Sequence, residues 1–198
     1  MDSLRELFKI GNGPSSSHTM GPERAAKKFK EKNPNATRFE VELYGSLALT
    51  GKGHLTDWII IETLKPIPTE ILWKPEIVHR YHTNGMLFKA FDENDKQLDE
   101  WLVFSVGGGT IMEHYQERKG AASIYQFNTM STIQKWCEDN QKEYWEYVVE
   151  CEGEEIFDFL KEIWEAMKEA VERGINTTGI LPGNLKYPRK ASNFYRKA

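Results

Sequence analysis

The spacing of apolar residues changes once along this chain, near residue 126. Before that point, short stretches alternate between apolar and polar residues, as Phe39, Val41 and Leu43 do with their neighbours, which is typical of half-buried strands. After it, apolar residues recur at helical spacing in three segments, the longest of which covers residues 154–173. This change predicts an α+β fold whose last part is helical.

Several individual elements can be predicted within these two parts. Residues 86–91 and 97–106 flank a short polar turn and predict a β-hairpin, and residues 77–81 predict a further strand. The β-branched run in residues 58–64 favours a strand, while its length leaves a helix open. In the helical part, Gly174 is expected to end the longest helix.

Composition limits the classes of function that this chain can have. It has 198 residues, of which 39% are hydrophobic, and a net charge of −4, so it can bury a core but offers no clustered basic face for nucleic acid. The longest apolar run is residues 58–61, and the charged N-terminus does not look like a signal peptide, so we expect no membrane span and a cytoplasmic location.

The chain contains two cysteines, Cys137 and Cys151. Two thiolates cannot complete a four-cysteine zinc site or supply all the ligands of an iron–sulfur cluster. Such low cysteine usage is typical of a reducing cytosol, where disulfides are rare. Structural burial is the simplest role for both side chains.

A run of hydroxyl residues precedes the helix predicted from Pro22 onward. We call this run the serine loop, and it consists of Ser15, Ser16, Ser17, His18 and Thr19. Hydroxyls and free N–H groups at a helix N-terminus favour an anion such as a carboxylate or phosphate. A serine-rich turn with one capping residue is the alternative, although capping does not require three serines, a histidine and a threonine.

A second candidate lies in a glycine-rich stretch that resembles a phosphate loop only superficially. Five residues separate Gly45 from Gly51, where a phosphate loop has four, and no Ser or Thr follows the lysine. Flexible glycines can present His54 as a general base, because imidazole titrates near neutral pH, with Thr56 or Asp57 to orient it. An ordinary surface histidine is the alternative interpretation.

The remaining histidines do not predict a metal site. His79 and His82 lie three residues apart, which would place them on opposite faces of a strand, and His114 is distant in sequence. A zinc site needs three or four ligands in one place, so we expect no metal bound by this chain. The glycines at 107–109 allow close backbone approach to a ligand or a neighbouring strand.

Five segments, in this order, resemble the iron–sulfur-dependent bacterial L-serine dehydratases. They are residues 8–22 (FKIGNGPSSSHTMGP), 44–57 (YGSLALTGKGHLTD), 82–86 (HTNGM), 105–109 (SVGGG) and 179–185 (GILPGNL). Five ordered matches that span essentially the whole chain are far more specific than any one of them.

The resemblance implies an enzyme that converts L-serine to pyruvate and ammonia without pyridoxal phosphate. In that family a [4Fe–4S] cluster with an open iron acts as a Lewis acid on the substrate hydroxyl, and a base removes the Cα proton. The resemblance also implies a mixed β-sheet domain with helices on one face over residues 1–126, similar to the allosteric substrate-binding domain of some phosphoglycerate dehydrogenases. Residues 127–198 would then begin the helical catalytic domain.

Residue roles follow from the matching positions. His54 matches the histidine that acts as acid or base, and the serine loop matches the segment that holds the carboxylate and amine of L-serine. Further residues are expected to shape the same pocket: Thr56, Asp57, His82, Asn84 and the glycines at 107–109.

The chain also departs from the family pattern. The cluster cysteines are absent, the segment between residues 57 and 82 is shorter than usual, and the sequence stops soon after residue 183. We therefore expect no dehydratase activity and no bound cluster in this chain alone, and we expect it to act with the missing cluster-bearing domain or subunit, as a homodimer. Two alternatives remain open: a regulatory module that binds L-serine or another small carboxylate without catalysis, and an oligomerisation scaffold that uses sheet edges and the stripe around Trp164.

Overall fold

The computed structural model describes residues 1–13, 15–113, 123–183 and 186–198. The chain divides into two compact units. The α/β unit consists of Gly11–Glu117 and Ile180–Pro188, and the helical unit consists of Met1–Ile10, Arg118–Gly179 and Arg189–Ala198.

One mixed five-stranded sheet organises the α/β unit and confirms the predicted α+β class. The strands are β1 (Arg38–Tyr44), β2 (Thr69–Lys74), β3 (Gly85–Phe91), β4 (Gln97–Gly107) and β5 (Thr110–Glu113). Their order in the sheet is β2-β1-β3-β4-β5, with β1 and β2 parallel and the other pairs antiparallel. The hairpin predicted from residues 86–106 is the pair β3 and β4.

The α/β unit has three α-helices among its described residues. They are α2 (Gly21–Lys32), α3 (Gly45–Thr50) and α4 (Thr56–Leu64), and a π-helical turn, Ser16–Met20, leads into α2. The residues 58–64 that favoured a strand are therefore helical. The parallel pairing of β1 with β2 requires a crossover connection, and α3 and α4 supply it.

The strand predicted at residues 77–81 is wrong. The strand that pairs with β1 lies earlier, where Phe39 faces Thr69 and Tyr44 faces Lys74, and it ends just before Pro75. Ile77 and Val78 are exposed, so this stretch lacks the buried face that an alternating pattern implies.

Aromatic rings join the helices to one face of the sheet. The ring of Phe29 on α2 lies 5.7 Å from Phe39 on β1 and 5.4 Å from Phe88 on β3. Ile60 and Leu64 of α4 are fully buried in the same core. Burial of this continuous apolar surface stabilises the unit that carries the candidate site.

The helical unit has five helices among its described residues. They are α1 (Leu4–Leu7), α5 (Met130–Asn140), α6 (Tyr144–Glu152), α7 (Ile156–Asn176) and α8 (Ala191–Tyr195). Its buried cluster centres on Tyr125, Cys137 and Tyr147.

The expectation that Gly174 ends the longest helix is wrong, because α7 continues to Asn176. Side chains cap the helix instead. Asn176 Nδ2 donates to the carbonyl of Glu172 at 2.9 Å, and Thr177 Oγ1 donates to that of Arg173 at 2.5 Å. These bonds satisfy terminal carbonyls without a left-handed glycine. No helix in the described parts of the chain is both long and apolar enough to span a bilayer.

Candidate active site

The serine loop forms a π-helical turn at the start of α2. Ser15 is extended and precedes the turn, and the Thr19 N–H donates to the Ser15 carbonyl at 2.8 Å. Thr19 Oγ1 also lies within hydrogen-bonding distance of the Asn12 and Ser15 carbonyls. His18 and Thr19 are buried. Single π-helical turns are frequently found at functional sites, since they re-aim side chains locally.

Close packing against β4 explains the glycine that follows the serine loop. A Cβ atom at Gly21 would lie 2.2 Å from Ser105 Oγ and 2.9 Å from Ser105 Cβ, so any side chain at this position would force Ser105 or its neighbours to move. The segment 105–109 makes a second close contact next to the serine loop. A Cβ atom at Gly109 would lie 3.2 Å from the Cβ atom of Met20, the residue that follows the loop. Two of the five matched segments therefore meet at this turn.

The stretch that carries His54 is anchored to the segment 82–86. Gly45 has a φ of 47°, in the left-handed region that favours glycine. A Cβ atom there would also lie 2.5 Å from the Thr83 carbonyl oxygen, so both the backbone conformation and the available space require glycine. The Ser46 N–H donates to that same carbonyl at 3.2 Å. After α3, the His54 N–H bonds back to the Gly51 carbonyl at 3.2 Å.

The two histidines of the matched segments are in contact. The ring centroids of His18 and His54 lie 4.7 Å apart. His18 Nε2 lies 2.9 Å from Thr50 Oγ1, and its Nδ1 lies 3.0 Å from Ser17 Oγ and 3.3 Å from Ser15 Oγ. His18 is buried, whereas His54 is half-buried, so the second ring is accessible at the edge of a fixed polar cluster.

Burial is the main cause that lowers the pKa of His18, and the neighbouring His54 lowers it further, while the Ser46 backbone carbonyl opposes the shift. A buried imidazole beside a second histidine favours its uncharged form. The fold therefore favours the neutral His18 ring, in which one nitrogen has a lone pair that can accept a hydrogen bond.

Thr56 and Asp57 do not make the contacts that were expected of them. The Thr56 hydroxyl donates to the His18 carbonyl at 2.7 Å rather than to the His54 ring. One carboxylate oxygen of Asp57 accepts the Trp58 N–H at 2.9 Å, which is a local bond at the start of α4. Thr56 thus joins the two matched segments, whereas Asp57 accepts a backbone N–H within the first turn of α4.

His82 and Asn84 lie in a turn that pairs with β4. His82 Nδ1 accepts the Asn84 N–H at 3.1 Å, and Asn84 Nδ2 donates to the Ser105 carbonyl at 3.3 Å. Asn84 Oδ1 and Ser105 Oγ are buried and have no hydrogen-bond partner among the described residues. Buried polar atoms without partners are rare, and these two belong to the matched segments 82–86 and 105–109.

The structure thus brings together the matched segments 8–22, 44–57, 82–86 and 105–109. The described part of the fifth segment lies next to them, since a Cβ atom at Gly183 would lie 3.7 Å from Leu55 Cδ2. Pro14, His114 and Leu185 lie outside the described residues. Sequence reasoning missed Thr50 as a site residue. Its position inside the segment 44–57, four residues before His54, was the signal that could have found it.

No group of three or more His, Cys, Asp or Glu within the described ranges could hold a metal ion. Cys137 is buried on α5, and burial, helped by neighbouring glutamates, raises the pKa of its thiol, which disfavours the thiolate that a metal requires. The described residues therefore do not fit an iron–sulfur cluster of their own.

Comparison with known proteins decides the family. The family model described as serine dehydratase beta chain matches residues 3–68 and 64–116, more than half of the chain. The chain belongs to the serine dehydratase beta-chain family. Its site residues lie in the matched range, from the serine loop to Ser105.

Several proteins named L-serine dehydratase are similar to this chain. An L-serine dehydratase of Haemophilus influenzae is 33% identical over 246 residues, covering 99% of this chain and 54% of the relative. L-serine dehydratase 2 of Escherichia coli is 33% identical over 245 residues with the same coverage. The L-serine dehydratase of Streptomyces coelicolor is 32% identical over 249 residues, covering 98% and 54%. The chain spans about half the length of the curated relatives it matches.

Proposed function

We propose that this chain is the N-terminal part of an L-serine dehydratase, a lyase that converts L-serine to pyruvate and ammonia. In this proposal the chain supplies substrate-binding and acid–base residues to a site that a cluster-bearing catalytic region completes. The observation that carries the proposal is the contact between His18 and His54 beside the serine loop, in a chain whose relatives are named L-serine dehydratases.

The polar groups around the two rings suit a small zwitterion. The oxygens of Ser15 and Ser17 lie beside the His18 ring and can accept hydrogen bonds from the ammonium group of L-serine, while the Ser15 hydroxyl can donate to its carboxylate.

The chemistry assigned to this chain is proton transfer. A nitrogen of His54 accepts the Cα proton of the bound L-serine, because imidazole is an effective base near neutral pH. The electron pair of the broken Cα–H bond forms the Cα=Cβ double bond as hydroxide leaves Cβ. The resulting aminoacrylate is hydrolysed to pyruvate and ammonia. His18 is already engaged by hydroxyls on both ring nitrogens, so the half-buried His54 is the better candidate for the base.

The [4Fe–4S] cluster of the resembling enzymes belongs, in this proposal, to the catalytic region outside this chain, because the described residues offer no ligand set for it. The roles of the present residues are accordingly binding and proton transfer. We propose the family domain boundaries as well, with the β domain over residues 1–126 and the start of the catalytic domain over residues 127–198.

An exposed apolar stripe on α7 supports the proposal that the helical part packs against further protein. Phe157, Trp164 and Val171 recur every seven residues on α7 and are each more than half exposed. Apolar side chains at this spacing form a continuous face, and large exposed patches mark interaction surfaces. We propose that the remainder of the catalytic domain packs on this face. The complete enzyme is proposed to be a cytoplasmic homodimer.

The proposal is tested by replacing His54 in the reconstituted enzyme. The chain is co-expressed with the cluster-bearing region under anaerobic conditions, and pyruvate formation from L-serine is measured. His54→Ala is expected to lower kcat by about 10²–10⁴-fold, which is the usual contribution of a general base. His54→Gln should cause a comparable loss, because an amide fills the space but cannot accept the proton.

A neighbouring substitution provides the control. Lys52 lies two residues before His54, is exposed, and places its ammonium group 5.3 Å from the centre of the Trp73 ring. Lys52→Ala should therefore retain most of the activity. Wild-type activity in His54→Ala would exclude His54 as the base.

A further inference from the structure

The neutral His18 ring is held by hydroxyl groups on both of its nitrogens. Thr50 Oγ1 lies 2.9 Å from Nε2, and Ser17 Oγ lies 3.0 Å from Nδ1. The same Thr50 hydroxyl lies 2.9 Å from the Ser46 carbonyl oxygen, one turn earlier in α3. The His54 proton-transfer role does not account for Thr50, which sequence reasoning did not single out.

The direction of each hydrogen bond follows from the number of protons available. A carbonyl oxygen can only accept, so the single proton of the Thr50 hydroxyl is directed to the Ser46 carbonyl. The Thr50 oxygen must then accept from His18, which requires a proton on Nε2. A neutral imidazole has one N–H, so Nδ1 has the lone pair, and it accepts the proton of the nearer hydroxyl, that of Ser17.

We propose that Thr50 is a positioning residue that fixes His18 in the tautomer protonated at Nε2, with the Nδ1 lone pair directed at the serine loop. The Ser17 proton is then engaged with His18, so the Ser17 oxygen faces the site as a hydrogen-bond acceptor. The lowered pKa of His18 agrees with a neutral ring. This inference deepens the proposed function and rests on it for its catalytic meaning.

The tautomer can be read directly by nuclear magnetic resonance of the full 198-residue chain. The chain is labelled with ¹⁵N-histidine and measured at about pH 8, where an ordinary histidine is neutral. In the wild type, the two-bond ¹H–¹⁵N spectrum should show Nε2 at the shift of a protonated nitrogen and Nδ1 at that of an unprotonated one. The His18 resonances are identified by their loss in His18→Gln.

Two substitutions at Thr50 separate positioning from a general structural effect. Thr50→Val keeps the shape of the side chain but removes the hydroxyl that fixes the tautomer. The His18 Nε2–H signal should then be lost to exchange, and the chemical shifts of the two ring nitrogens should move towards each other. Thr50→Ser keeps the hydroxyl and should retain the wild-type pattern. Because Thr50 is exposed, neither change opens a cavity in the core.

Two results would overturn the inference: a wild-type His18 protonated at Nδ1, or a Thr50→Val spectrum that superimposes on that of the wild type. The measurement needs neither substrate nor cluster. Wild-type pyruvate formation by His54→Ala would thus count against the proposed function. The tautomer spectrum tests the assignment of Thr50 independently of that result.

Discussion

The two units of this chain bury apolar surface to very different extents. In the α/β unit, helices and central strands share one core, in which Phe29, Phe39 and Phe88 are almost fully buried. In the helical unit, α7 has 21 residues, of which only Ile156 and Ile163 are buried, and an apolar cavity of about 510 Å³ is lined by residues such as Met130 and Tyr147. The α/β unit is therefore a closed scaffold suited to holding polar site residues, whereas the helical unit offers apolar surface for further packing.

The largest expected effect tests this difference with a matched pair of aromatic substitutions. Phe88→Ala removes a fully buried ring from the α/β core and should lower the free energy of unfolding by about 3–5 kcal/mol. Trp164→Ala removes a larger ring that is 57% exposed and should change it by less than about 0.5 kcal/mol. Urea denaturation followed by circular dichroism measures both. Similar losses in the two variants would contradict the comparison.

A smaller effect is expected from the buried carboxylate on the outer face of the sheet. Glu42 Oε1 lies 2.5 Å from Lys89 Nζ, its Oε2 lies 2.5 Å from Lys74 Nζ, and the Tyr44 hydroxyl donates to it at 2.9 Å. Burial opposes ionisation, but these three bonds outweigh it and lower the pKa of Glu42 from 4.5 to about 2. The folded state therefore stabilises the carboxylate.

Because the folded pKa of Glu42 is below the unfolded one, its stabilisation is complete above about pH 4.5 and is lost as the pH falls towards about 2. Glu42→Gln should lower the free energy of unfolding at pH 7 by about 2 kcal/mol. It should also flatten the dependence of stability on pH between those two values. Urea denaturation across this range is the measurement, and a variant with the wild-type acid dependence would refute the assignment.

The smallest effect concerns the corresponding carboxylate of the helical unit. Glu152 accepts bonds from the Ser3 hydroxyl at 2.6 Å, the Leu4 N–H at 2.6 Å and the Tyr125 hydroxyl at 2.7 Å. Burial opposes ionisation, yet these bonds lower the pKa of Glu152. Its hydrogen-bond partners are uncharged, the charge of Arg5 contributes less than these bonds, and its side chain is half-buried, so Glu152→Gln should cost about 1 kcal/mol.

Thermal denaturation of Glu42→Gln and Glu152→Gln side by side checks this order. A larger loss for Glu152→Gln would show that the helical unit depends more on a single carboxylate than the sheet does.

Local sequence patterns predicted much of the fold. The hairpin over residues 86–106 and the three helices after residue 126 depend on apolar spacing, which acts within a single element. For residues 58–64 the same reasoning favoured a strand and left a helix open, because β-branched side chains prefer strands locally. In the structure Ile59, Ile60 and Leu64 are buried as part of the helix that connects two parallel strands, and tertiary burial overrides propensity.

The sequence by itself determined the order of the five motifs, the family they resemble and the candidates His54 and the serine loop, because these depend on residue type and spacing alone. Only the tertiary structure decided that His18 contacts His54, that Thr56 bonds to the His18 carbonyl, and that Thr50 reaches the His18 ring. Those contacts join residues more than 30 positions apart. They exist because the left-handed Gly45 and the close approach of Gly21 to Ser105 allow separate loops to pack where β1 ends, β3 begins and β4 ends.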